Sequence, residues 1–170
     1  MINIFIGYDE GEKIAFHVLA ESIRKQSSEP ISITPIDLNT IRNHFIRDKQ
    51  SNQSTEFAFS RFMVPYLSNY EGWSIFMDCD MLLRTDINEL WKLRDEDYAV
   101  MCVKHDYEPK QDVKFRGAKN EKFPKKNWSS LMLMNNAKCK LLTPEYVRTA
   151  SGLELHQFKW LESERDIGAI

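Results

Sequence analysis

Two carboxylates stand one residue apart in Asp78-Cys79-Asp80, directly after the apolar run 73–77. A short apolar run of that kind, bounded by polar residues, predicts a buried strand. The pair then sits where the strand leaves the sheet at its carboxyl end, the edge at which open α/β sheets collect ligands. Side chains two apart on extended backbone point the same way. A turn just after the strand lets one carboxylate reach a divalent cation while the other reaches a neighbouring hydroxyl. Hard oxygen donors of this kind suit magnesium or manganese. An Asp-x-Asp can also do no more than cap turns. The apolar strand before it and Asp86-Ile87-Asn88-Glu89-Leu90-Trp91 after it argue against that plainer reading.

The elements that must hold this pair follow from hydrophobic spacing. Residues 2–6 form an apolar run stopped by Gly7, which predicts a buried parallel strand. Asp9 with Glu12 three residues on makes a capping-box pattern. Ile14, Val18, Leu19 and Ile23 follow at helical spacing, and the helix is expected to end near residues 26–28. Ile31, Ile33 and Ile36 suggest a second strand, so the chain opens as a βαβ unit. Residues 38–55 are polar, with a short helix expected over 41–46. Phe59, Phe62, Met63 and Leu67 then recur at helical intervals, with Pro65 placed to distort or end that helix. Beyond the Asp pair, Asp86 caps a helix over 87–93, and 98–103 and 129–136 read as strands. Helices over 144–150 and 153–161 close the chain. The expectation is an α/β fold in one domain over 1–170, with a mostly parallel central sheet flanked by helices in the Rossmann-like manner of nucleotide-binding proteins.

Composition narrows the partners. The 170 residues carry 23 basic and 25 acidic side chains, a formal net charge of −2 that exerts no global pull on nucleic acid. The N-terminal residues lack the basic and long apolar regions of a signal peptide. No apolar run approaches the ~20 residues needed to cross a bilayer. Cys79, Cys102 and Cys139 lie in apolar settings without CxxC spacing, so buried free thiols in a reducing cytoplasm are expected rather than structural zinc.

Phe76-Met77-Asp78-Cys79-Asp80-Met81-Leu82, followed by Asp86-Ile87 and Glu89-Leu90-Trp91, resembles the DxD block of glycosyltransferase family eight and its bacterial and viral relatives. Three more segments resemble that family in the same order. Ile6-Gly7-Tyr8-Asp9 is similar to the first-strand end that holds nucleobase and ribose. Ser60-Arg61-Phe62 is similar to the helix whose arginine lies near the donor diphosphate. Asn127-Trp128-Ser129-Ser130 is similar to a segment lining the donor-sugar pocket. The likeness covers roughly residues 1–161.

The resemblance implies a GT-A fold and transfer of a sugar from a nucleoside-diphosphate donor, most simply a UDP-sugar, to a hydroxyl of a glycan, lipid or small acceptor. It implies Mn2+ or Mg2+ as cofactor, with Asp80 ligating the metal and Asp78 on the metal or ribose. Gly7, Tyr8 and Asp9 would hold the nucleoside. Arg61, Cys79, Ser129 and Ser130 would line the donor site. His156-Gln157 matches the position of an Asp-Gln pair near the reaction centre, with His156 as ligand or proton carrier. Relatives also supply a metal-binding His from a C-terminal segment with no counterpart here. His156, His105 or water would replace it, or the chain lacks its natural C-terminal segment, the reading we favour. The resemblance leans toward retention of anomeric configuration.

Asp9 reads equally well as a plain helix cap, and Arg61 as a solvated helix residue. The lysine-rich excursion over 104–126, which holds His105, Tyr107, Phe115 and Phe123, reads as an acceptor flap, a diphosphate-facing lid or a solvated loop, and the net charge of −2 argues against the nucleic-acid patch that lysines with interleaved aromatics also suggest. Two rivals remain. A haloacid-dehalogenase-like phosphatase also follows an apolar strand with Asp-x-Asp, but Leu82 replaces its usual Thr or Val, and a βαβ unit precedes the motif. A GT-A domain that binds nucleotide or glycan without turnover is the other.

Overall fold

Residues 1–48, 53, 55–106 and 124–170 are described by the computed structural model, so 107–123 of the basic excursion lie outside the described residues. Six strands form one sheet in the order β2-β1-β3-β5-β4-β6. They are β1 (Ile2–Gly7), β2 (Ile31–Ile36), β3 (Trp73–Met77), β4 (Val100–Cys102), β5 (Leu131–Asn135) and β6 (Ile167–Ala169). β1 pairs in parallel with both β2 and β3, and β4 in parallel with β6. β5 runs antiparallel between β3 and β4. The sheet is therefore mixed but mostly parallel.

Burial explains these choices. β3 is buried at every position and β1 at all but Asn3, as strands covered on both faces must be. β2 is an edge strand, half exposed, and so accommodates Pro35 opposite Ile6. The expected first helix forms as α1 (Lys13–Gln26), reached through a 3-10 turn at Glu10–Glu12. Its buried side is Phe16, Leu19 and Ile23, whereas Ile14 and Val18, expected on the core side, face solvent. Phe16 displaces them because the aromatic ring buries more area, packing edge-on at 5.4 Å from Tyr8.

Further elements depart from expectation in length. The short helix α2 is Leu38–Ile41, earlier than expected because Asp37 caps it through Asn39 N. The segment around Pro65 forms α3 (Phe57–Ser60), a 3-10 turn Arg61–Met63 and α4 (Val64–Leu67), with Pro65 in the first turn of α4, where its missing N–H costs nothing. α5 (Ile87–Lys92) is capped by Asp86 as expected. α6 (Pro144–Thr149) and α7 (Gly152–His156) close the helical set, α7 ending well before the expected residue 161.

β6 was not expected at all. It fits beside β4 because Gly168 has no side chain: a Cβ there would stand 2.6 Å from the Tyr98 ring. Gly7 is fixed in the same way, since a Cβ would meet the Phe57 ring at 2.4 Å.

Candidate active site

The strand directions bring the carboxyl ends of β1, β3 and β4 to one edge, together with the amino end of the antiparallel β5. The chain leaves β1 for β2 on one side, while β3 lies on the other. The crevice outside β1 and β3 is thus a switch point, where doubly wound sheets bind ligands. Tyr8 and Asp9 follow β1 there, Asp78 to Asp80 follow β3, and Ser129 and Ser130 precede β5. Register continues past the strand, as Asp78 N donates to Ser130 O at 2.9 Å.

Asp78 and Asp80 stand in different surroundings. The Asp78 side chain is 18% exposed and its Oδ1 lies 2.8 Å from Arg61 Nη1. That approach is an ion pair without hydrogen-bond geometry, and Oδ1 stays buried with no hydrogen-bond partner. Burial pushes the Asp78 carboxyl up to about 6, against the attraction of Arg61, with the negative charges of Asp80 and Glu12 adding to the rise. Asp80 is exposed. Between them Cys79 is fully buried, its thiol donating to Glu12 Oε2 at 3.1 Å. Burial holds that thiol well above the usual range, so it is neutral.

Arg61 is a buried residue and not the solvated one that helix position alone allowed. It is 6% exposed. Its Nη1 donates to Ser129 O at 2.9 Å and its Nε to Phe57 O at 3.3 Å, and its guanidinium lies over the rings of Phe57 and Phe76. The guanidinium therefore ties the start of α3, the end of β3 and the start of β5 into one unit. Ser129 extends the unit, with its Oγ 2.8 Å from His156 Nδ1. The His156 ring packs edge-on against Phe62 at 5.3 Å. Lys125 Nζ donates to Gln157 O at 2.9 Å and pairs with Glu164.

Asp9 is 2% exposed and its oxygens serve the backbone: Oδ1 accepts from Gly11 N at 2.8 Å and Oδ2 from Glu56 N at 3.1 Å. It caps the turn into α1 and clasps the approach to α3. Tyr8 is half-buried, its hydroxyl donating to exposed Glu10. Gly7 gives its open side to Phe57, as above. His105 is exposed and contributes its carbonyl to Trp128 Nε1.

The expected metal trio of Asp78, Asp80 and His156 is not assembled. Among the described residues no group of three or more His, Cys, Asp or Glu side chains could hold a metal ion. His156 Nδ1 instead lies 2.8 Å from Ser129 Oγ, with its ring packed against Phe62. Two residues escaped the sequence reading: Glu12, the partner of Cys79, and Lys125, which pins the end of α7. Glu12 was visible only as a capping-box member; in the structure it reaches Cys79 instead.

The fold is that of the GT-A glycosyltransferases. The WbbM bifunctional glycosyltransferase superposes with a TM-score of 0.64 at 13% identity, over 99% of this chain and 38% of that one. GlyE of Streptococcus pneumoniae TIGR4 gives 0.58 at 15%, over 99% and 45%. The galactosyltransferase LgtC, solved with donor and acceptor sugar analogues, gives 0.52 at 12%, over 99% and 73%. The model of glycosyl transferase family 8 matches residues 3–148, and the chain belongs to that family. Protein CDI of Arabidopsis thaliana is 49% identical over 172 residues, 99% of this chain and 66% of that protein. The chain thus spans just under two thirds of that relative's length. Membership sets aside the phosphatase alternative. No helix among the described residues is long and apolar enough to cross a membrane.

Proposed function

We propose that the chain transfers a sugar from a nucleoside-diphosphate donor, a UDP-sugar, to a hydroxyl of a glycan, lipid or small acceptor, with Mn2+ or Mg2+ bound by Asp78 and Asp80. The observation that carries this reading is the state of the Asp pair. Asp78 Oδ1 is buried without a hydrogen bond, and Asp80 is exposed two residues on, at the switch point of the sheet. Such a pair fits a hard cation of the magnesium type, which takes one or two carboxylates and completes its shell with water and substrate phosphate. A metal held there would act as a Lewis acid on the diphosphate leaving group.

The chain's own residues would do the rest. Arg61 fixes Asp78 and places a positive charge beneath the donor. Tyr8 presents a ring to the nucleoside while Asp9 holds the loop that carries it. Ser129 and Ser130 line the donor sugar. His156, hydrogen-bonded to Ser129, and Gln157 are the reaction-centre pair, with His156 moving the acceptor proton. Three buried free cysteines support a reducing, cytoplasmic setting.

Calorimetric titration of UDP with and without Mn2+ tests the reading, on wild type and Asp80→Ala. Binding that needs metal and vanishes in the variant is expected. Asp80 is exposed, so the variant should lose no more than about 0.5 kcal/mol of stability. Failure of every nucleoside diphosphate to bind would refute the donor site. Binding without transfer across acceptors would favour a recognition module instead.

A further inference from the structure

Helix α1 and the residues flanking it hold the segment after β3 at three points: Glu12 in the turn before the helix, Ser22 within it and Ser28 just beyond it. Glu12 Oε2 accepts from the Cys79 thiol at 3.1 Å. Ser22 Oγ accepts from Leu83 N at 3.0 Å. Ser28 takes both oxygens of Asp86, its N donating to Oδ1 at 3.2 Å and its hydroxyl to Oδ2. The contacts advance in step along both partners. The segment carrying Asp80 is therefore laid along the helix, and Glu12 grips it at the site end.

We propose that Glu12 is a positioning residue for the Asp78-Cys79-Asp80 pair, acting through its hydrogen bond to the buried Cys79 thiol. The inference rests on the donor-site reading above. Cys79 lies between the two carboxylates, so fixing its side chain fixes the turn that sets their separation. The thiol is fully buried and donates to Glu12 Oε2 across 67 residues of chain, so the bond ties the turn to the start of α1. Groups that orient metal-binding residues from behind commonly change metal affinity 10–100-fold when removed. Glu12 stands in that relation to Asp78 and Asp80.

The test uses Glu12→Ala, Glu12→Gln, Cys79→Val and the Glu12→Ala/Cys79→Val double variant. The Gln side chain keeps a carbonyl acceptor for the thiol, and Val fills the Cys79 volume without donating. Two quantities are read: Mn2+-dependent UDP affinity, and hydrogen exchange of the backbone amides of residues 80–83. Glu12→Ala and Cys79→Val should each weaken affinity about tenfold and speed exchange, with the double variant no worse than either single. Glu12→Gln should stay within about twofold of wild type in both. Equal losses in Glu12→Gln and Glu12→Ala would show that charge, not position, matters, and would overturn the proposal. So would additive effects in the double variant, or unchanged exchange. If wild type binds no nucleoside diphosphate, the donor reading fails by itself, and the exchange data still decide whether Glu12 holds the turn.

Discussion

Replacing Asp78 by Asn should change how the stability of this protein responds to pH. In the fold, burial outweighs the ion pair with Arg61 and lifts the Asp78 carboxyl from its ordinary 3.8 to about 6. The folded state therefore binds this proton more tightly than the unfolded state does. Between pH 3.8 and about 6 the folded state carries more of it, so stability falls as pH rises through that window and the full penalty stands above it. At about 1.4 kcal/mol per tenfold, the penalty is about 3 kcal/mol. Asn takes no part in this titration. Urea unfolding of wild type and Asp78→Asn from pH 4 to pH 8 isolates the effect, because groups that titrate alike in both proteins cancel. The wild-type stability minus that of the variant should fall by about 2 kcal/mol from pH 4 to pH 7, part of the full penalty having already accrued at pH 4. A flat difference would refute the reasoning, and a difference that rises with pH would show that Arg61 outweighs burial.

Two further substitutions probe the same edge of the sheet. Arg61→Met leaves the Asp78 carboxylate buried without its cation and frees Ser129 O and Phe57 O. It should cost about 3–5 kcal/mol at pH 8 and less at pH 5, where a proton neutralises Asp78, as read from urea midpoints. Gly7→Ala drives a methyl into the Phe57 ring and should cost about 1–3 kcal/mol in thermal unfolding. Adding Phe57→Leu should recover part of that loss, because the clash is with the ring.

Much of the frame was legible because one local signal sufficed. The runs at 2–6 and 73–77, and the cap Asp86, mark elements whose cause lies within a few residues. Elements whose cause is distant were not. β6 exists because Gly168 lies flat against Tyr98 and Met101, a fit between residues far apart in sequence. Ile14 and Val18 keep perfect helical spacing yet face solvent, since periodicity says which residues share a face and not which face turns inward. The site divides in the same way. The Asp pair was visible from its strand, whereas the burial of Arg61 depends on β5 closing over it, and the Glu12–Cys79 bond spans 67 positions.

The energetics of Asp78 bear on why such a residue is kept. An ionised carboxylate that costs the fold about 3 kcal/mol is a poor choice for stability, and a buried pair with Arg61 is no remedy, since apolar residues of similar volume often do better. The arrangement makes sense if the charge is held ready for a cation that only the folded chain binds. Such a cation at 100 times its dissociation constant stabilises the fold by about 2.7 kcal/mol, close to what the ionised carboxylate removes. The two terms have a common origin, because desolvation that resists a bare carboxylate also strengthens its attraction for a divalent ion. Arg61 then has a limited task. One guanidinium is enough to keep Asp78 in place without drawing its charge away, and its donation to Ser129 O holds the β5 side of the crevice at the same spacing. If the proposed site takes its cation, instability at this edge of the sheet and affinity for that cation are two expressions of one burial.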